Sequence, residues 1–238
     1  ISDVTVVEGV DAVFAVSLDK PSFESITVSL ATAEGTALDP EDYTGYSGGS
    51  ITFAPGETSK NITIATIDDA IYEVTENFTL NGEVTSGTTV NTTASGTGTI
   101  TDNDGDAPTL SISDVTVVEG VDAVFAVSLD KPSFESITVS LATAEGTALD
   151  PEDYTGYSGG SITFAPGETS KNITIATIDD AIYEVTENFT LNGEVTSGTT
   201  VNTTASGTGT ITDNDGDAPT LSISDVSVVE GVDAVFAV

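Results

Sequence analysis

The chain of 238 residues carries 39 acidic residues against four lysines, a formal charge of −35 at neutral pH, with no histidine and no cysteine. A surface of that sign repels nucleic acid and anionic membrane, and the missing His and Cys remove the usual catalytic bases, nucleophiles and soft metal ligands. Self-repulsion on this scale destabilises a compact state unless cations are bound, yet regularly alternating apolar residues argue against a disordered acidic chain.

Residues 1–111 and 112–222 are identical, and a third copy begins at Ile223, with Ser227 where Thr5 and Thr116 stand. An exact repeat of domain size marks an array of folded units rather than a solitary catalyst. The expected division is a first unit over 1–104, entered without the lead-in that precedes Ile112, and a linker over 105–108. A second unit over 109–215, a linker over 216–219 and the opening strands of a third unit over 220–238 follow. That last piece is too short to bury a core of its own, so the chain reads as a stretch of a longer array.

Within each unit, short alternating segments separated by Gly, Pro, Asp and Asn predict an all-β fold: tandem antiparallel β-sandwiches of about seven strands, linked end to end. The first strand covers about 1–8, and its alternation slips between Ile1 and Val4, as at a kink where a strand changes sheets. The second presents Phe14, Val16 and Leu18, and the third Ile26, Val28 and Leu30. Ile51 and Phe53 mark the fourth strand, Ile62 and Ile64 the fifth, and Phe78 and Leu80 the sixth. The seventh shows Ala94, Gly96, Gly98 and Ile100. No apolar stretch approaches the ~20 residues of a helical membrane span.

If successive strands run up and down, the connections sort into two poles. Connections one-to-two, three-to-four and five-to-six share a pole with the end of the seventh strand. Of the first unit's eighteen acids, thirteen fall there: Glu8, Asp11, Glu34, Asp39, Glu41, Asp42, Asp68, Asp69, Glu73, Glu76, Asp102, Asp104 and Asp106. Like charges ~4 Å apart repel by several kcal/mol at an effective dielectric of about 20, so such a pole calls for a cation. Calcium suits it, taking 6–8 oxygen ligands, whereas zinc and copper prefer His or Cys and magnesium keeps its waters.

Several stretches then resemble the Calx-beta domain family in order and spacing. They are Glu8 after a Val-Val pair, Ala37 to Tyr43, Phe53-Ala54-Pro55-Gly56-Glu57, Asp68-Asp69-Ala70-Ile71-Tyr72-Glu73-Val74-Thr75-Glu76 and the terminal Asp102-Asn103-Asp104. The resemblance implies an immunoglobulin-like sandwich that binds Ca2+ at one end. Its ligands fall on Glu8, Asp42, Asp68, Asp69, the carbonyl of Ile71, Glu73, Glu76, Asp102 and Asp104. In the second unit the set is Glu119, Asp153, Asp179, Asp180, Ile182, Glu184, Glu187, Asp213 and Asp215. Asn103 departs from an all-acidic ending, so one ligand there is expected to be a carbonyl or absent.

Calcium at the junction could also engage Asp106, and Asp217 after the second unit. The facing loop Asp130-Lys131-Pro132-Ser133 lies within reach of that junction. Near-exact repetition and a Thr/Ser/Asn-rich acidic surface look like the tandem extender repeats of giant bacterial (RTX-type, type I-secreted) surface adhesins. That likeness implies an extracellular location at the cell surface and a role in adhesion and biofilm. The partners expected are neighbouring identical repeats of the same chain, with no nucleic acid, membrane insertion or small-molecule substrate, and a monomeric state.

Three other classes compete. An enzyme lacks the usual groups, and paired carboxylates of glycosidase type are not expected among so many clustered acids, so no catalysis is expected. A carbohydrate-binding module has no Trp and only six Tyr to work with, and Tyr72 is expected to be packed. A calcium-sensing regulatory module, the third alternative, would need a large shape change at submicromolar calcium, whereas an extracellular spacer needs only saturation at millimolar levels. An exchanger's regulatory pair would not be two identical copies. The Asn-x-Thr sites at Asn61, Asn77 and Asn91 are read as strand residues.

Overall fold

The computed structural model describes residues 1–237. The first unit consists of β1 (Val4–Val7), β2 (Ala12–Ser17), β3 (Ile26–Glu34), β4 (Gly49–Phe53), β5 (Ser59–Ile64), β6 (Glu76–Ser86) and β7 (Thr93–Thr101). They form a five-stranded sheet in the order β1-β7-β6-β3-β4, faced by the pair β2-β5. Each strand supplies alternate residues to the space between the sheets, as the two-residue period of a strand requires. Phe14, Ile26, Leu30, Phe53, Ile64, Phe78 and Leu80 are buried there at 0–2% exposure.

One element of that core has no strand periodicity. The irregular stretch after β3 turns Ala37 and Tyr43 fully inward, where the Tyr43 ring stacks on Phe78 at 4.2 Å. Gly98 of β7 lies under the Phe78 ring, and a Cβ there would meet ring carbons at 2.6 Å. The glycine-rich seventh strand therefore leaves room for aromatic rings on its neighbours.

The second unit repeats the plan with β8 (Leu110–Ile112), β9 (Val115–Val118), β10 (Ala123–Leu129), β11 (Ile137–Glu145), β12 (Gly160–Phe164), β13 (Ser170–Ile175), β14 (Glu187–Ser197) and β15 (Thr204–Thr212). Its sheets run β12-β11-β14-β15-β9 and β13-β10-β8. The slip in the first strand's alternation has its cause here. Leu110–Ile112 pairs antiparallel with β10, while Val115–Val118 crosses to the other sheet and pairs parallel with β15.

Parallel pairing of the first and last strands decides where the acids meet. The register Val7↔Thr101 brings both strand ends to one pole, and the Glu8 N–H donates to the Thr101 carbonyl at 3.0 Å. Glu8 and the Asp102-Asn103-Asp104 tail thus leave the sheet side by side, 94 residues apart in the chain. Pro108 is buried against the second unit, its carbonyl accepting from Val201 N–H at 3.0 Å.

Candidate metal centre

Three loops and the β7 tail converge at the pole of the first unit. The turn after β1 places Gly9 at φ 72°, where a Cβ would lie 2.8 Å from the Cβ of Asp68. The loop before β6 is therefore free to approach. The segment after β3 is held to the same pole by Ile67 N–H donating to the Asp42 carbonyl at 2.9 Å and by Leu38 N–H donating to Asp42 Oδ2 at 2.6 Å.

The carboxylates collect in two groups, each with three oxygens within 4.8 Å of one another. One is Glu8, Asp69 and Asp104, and the other is Asp42, Glu73 and Glu76. In the second unit the matching groups are Glu119, Asp180 and Asp215, and Asp153, Glu184 and Glu187. Of the remaining expected ligands, Asp102 Oδ1 accepts from Glu73 N–H at 3.2 Å, and Asp68 Oδ1 accepts from Asn103 Nδ2 at 2.9 Å. Asp179 and Asp213 do the same in the second unit. The Ile71 N–H donates to Asp69 Oδ1 at 2.7 Å, as Ile182 does to Asp180.

Asp106 and Asp217 are exposed linker residues outside both groups. Nor do the other acids at this pole all join them. Asp39 holds Gly45 N–H at 3.0 Å and Glu34 receives Asp39 N–H, so these two shape their own loop. Asn103 contributes its amide twice, its backbone N–H donating to Glu8 Oε1 at 3.1 Å and its side chain tying Asp68 in. It thereby orients two carboxylates, a part that residue spacing alone does not encode.

Burial raises these acids and their neighbours raise them further. Glu8, nearly inaccessible, is pushed up to about 7 by desolvation and by the Asp104 and Asp102 carboxylates, against the pull of Asn103 N–H. Glu73 reaches about 7 through burial, then Asp42, Asp69, Glu8 and Asp102. Glu76 reaches about 8 through burial and the adjoining Asp42. Two oxygens, Asp104 Oδ2 and Glu187 Oε2, are buried without a hydrogen-bond partner, a costly state for an acceptor. An all-oxygen donor set with orphaned buried carboxylate atoms fits a hard divalent cation.

A pH prediction follows for the metal-free chain. These glutamates ionise near 4.5 when unfolded and near 7–8 when folded, so the folded state holds its protons more tightly. That contribution is complete below about 4.5 and is lost as pH rises through 7–8. The melting temperature in chelator should fall between pH 5 and pH 8. A rise over that window would mean that the acids are not buried together.

The two poles are identical in sequence and different in surroundings. The loop of the second unit between β10 and β11 sits on the first pole. Tyr72 N–H donates to the Pro132 carbonyl at 3.1 Å, Phe134 N–H donates to the Tyr72 carbonyl at 3.2 Å, and Tyr72 and Ser133 form a parallel bridge. Lys131 Nζ donates to the Asp104 carbonyl at 2.9 Å, leaving both Asp104 carboxylate oxygens for other partners. Ile71 and Tyr72 are half-buried, whereas Ile182 and Tyr183 of the second pole stand 64% and 41% exposed. The covered pole is the more desolvated: Glu184 is also raised, by burial and then Asp153, but the shift is larger at Glu73.

Comparison with known proteins adds lineage to this geometry. The Calx-beta domain family matches residues 2–104 and again 101–215. Sodium/calcium exchanger 1 of Canis lupus familiaris is 28% identical over 187 residues, covering 70% of this chain and 19% of the exchanger. Extracellular matrix protein 3 of Lytechinus variegatus is 29% identical over 195 residues, covering 75% of this chain and 6% of that protein. The chain thus spans a fifth or less of the length of these relatives. Among solved structures, the calcium binding domain CBD12 of CALX1.1 aligns with a TM-score of 0.40 at 23% identity, covering 81% of this chain and 76% of that one.

Proposed function

The chain belongs to the Calx-beta domain family, and on that premise we propose that it is a calcium-binding extender segment of a bacterial cell-surface adhesin. In this reading Ca2+ stabilises each sandwich and stiffens the junction between consecutive units, so that distal adhesion domains are held away from the cell. The segment is extracellular and non-catalytic, and its working partners are the neighbouring identical repeats.

The observation that carries the reading is the position of the paired carboxylate groups at the very end that the next unit covers. Glu8, Asp69 and Asp104 would hold one ion, and Asp42, Glu73 and Glu76 another. Asp68, Asp102 and Asn103 orient these groups through the hydrogen bonds described above. A bound ion supplies positive charge that cancels the mutual repulsion of the pole, and the chain supplies its shape. The loop carrying Ile71, Tyr72 and Glu73 belongs both to the ion site and to the contact with Pro132 and Phe134. Ordering it for one therefore orders it for the other.

The exchanger relatives support a second reading, a calcium-sensing regulatory module. Two identical copies favour the extender, because a sensor pair gains by tuning its two domains apart. Strands of about seven residues rising ~3.3 Å each, with loops at both ends, give roughly 40 Å per unit. Small-angle scattering on an array of four or more units should show a maximum dimension growing linearly with repeat number in millimolar calcium. A compact particle in saturating calcium, or an unchanged length distribution after alanine replaces Asp104 and Asp215, would rule the spacer out.

A further inference from the structure

Each unit is entered at one pole and left at the other, through strands that are direct neighbours. The chain enters the second unit at Pro108, whose carbonyl is held by Val201 N–H at the pole away from the carboxylate groups. It leaves past Thr212 and Asp215 at the acidic pole. Between these points β9 and β15 lie side by side and parallel, with Val115 opposite Gly209 and Val118 opposite Thr212.

Tension on the linkers therefore pulls these two strands in opposite directions along their own axes. β9 is drawn back towards Pro108 and β15 forward towards Asp215, so the bonds between them lie across the load and share it. In an antiparallel pair the same tension would act at one end of the ladder and peel its bonds one by one. β8 meets the load first but pairs over three residues only, so the longer ladder behind it sets the limit.

Side chains extend that ladder at both ends. Asp114, an exposed acid at the end away from the carboxylate groups, accepts from Thr208 N–H at 2.7 Å. Thr212 Oγ1 donates to the Val117 carbonyl at 3.1 Å, Glu119 N–H to the Thr212 carbonyl at 3.0 Å, and Asn214 N–H to Glu119 Oε1 at 2.8 Å. The first unit repeats these bonds: Asp3 with Thr97 N–H at 2.8 Å, Thr101 with the Val6 carbonyl at 3.1 Å, and Asn103 N–H with Glu8 at 3.1 Å. We propose that the parallel pairs, β9 with β15 and β1 with β7, are the force-resisting clamps of the array, with Asp114 and Asp3 as the rungs that close their far ends.

This function rests on the reading of the chain as a spacer under tension, whereas the clamp itself is built from backbone and side-chain bonds that need no ion. An ion at Glu119, Asp180 and Asp215 would add one more link between the same two strands, since Glu119 follows β9 and Asp215 follows β15. Resistance to pulling is a rate, the lifetime before the strands slide, rather than an equilibrium stability. Each bond of ~1 kcal/mol that must break in concert lengthens that lifetime about fivefold.

Single-molecule pulling on the full chain tests the proposal, and a sequence without cysteine lets introduced cysteines serve as the handles. Asp106→Cys with Asp217→Cys, both at exposed linker positions, loads the second unit along its strands. Asp122→Cys, in the exposed turn after β9, with Asp217→Cys pulls β9 and β15 apart from one end. At the same load, in millimolar calcium, the first pair of handles should give a lifetime about a hundredfold longer than the second, the weight of three further bonds of ~1 kcal/mol each. Asp114→Ala should shorten the first lifetime at least about fivefold and leave the second unchanged, because peeling reaches that rung last. Glu168→Ala, which removes a turn bond and an ion pair outside the ladder, should alter neither. Equal lifetimes for the two pairs of handles, or equal shortening by Asp114→Ala and Glu168→Ala, would overturn the clamp. All comparisons are made at one calcium level, so a chain that bound no calcium would still pass or fail them.

Discussion

Removing divalent cations from this chain is expected to lower its melting temperature by roughly 20–40 °C. Each ion bound only by the folded state, at about 100 times its dissociation constant, adds ~2.7 kcal/mol. Two carboxylate groups per pole therefore supply about 5 kcal/mol to each unit, a large part of the 5–15 kcal/mol that holds a typical domain together. For a unit of this size, 1 kcal/mol moves the midpoint by about 4–8 °C. Calorimetric scans in excess chelator and in millimolar calcium measure the difference directly. Superimposable scans would mean that the pole tolerates its own repulsion and needs no ion.

Asp69→Ala, paired with Asp180→Ala, is expected to weaken calcium binding by at least about 100-fold at one class of site. Loss of a residue that merely orients a ligand costs 10–100-fold in affinity, and these two belong to the carboxylate groups themselves. Glu57→Ala with Glu168→Ala provides the contrast. Glu57 lies at the other end of the sandwich, where it accepts from Ala54 N–H and pairs with Lys60 at 3.0 Å. Those hydrogen bonds, with the lysine, hold its carboxyl below the usual range. Its removal should leave calcium affinity unchanged while loosening its own turn. Competition with a chromophoric chelator separates the two cases; equal losses in both pairs would show that the poles had been drawn wrongly.

Much of this arrangement is legible in the sequence because strands announce themselves. Phe14 with Val16 and Phe78 with Leu80 alternate in the register that the sheets use. A seven-strand count also puts the end of the first strand and the end of the seventh at one pole. The slip at Ile1 to Val4 was readable as a change of sheet for the same reason. Ala37 and Tyr43 were not readable as core, because they enter it from an irregular segment with no period to betray them.

At the site, pole membership could be argued from strand parity, but the division into two groups could not. Whether Asp102 faces an ion or receives Glu73 N–H depends on loop conformation, which spacing does not encode. Nor could any reading of identical repeats reveal that Glu73 and Glu184 differ. That difference comes from Phe134 and its neighbours covering one pole and leaving the other bare.

The stability of each unit and the stiffness of the junction both depend on the paired carboxylate groups being cation sites. Isothermal titration of the metal-free chain with calcium addresses that most directly, with the count of ions as the readout. Saturation at about two ions per unit, one for each carboxylate group, falling to about one per unit when Asp69 and Asp180 are both replaced by alanine, is the predicted result. No saturable heat at millimolar calcium, or a count untouched by those substitutions, would contradict it.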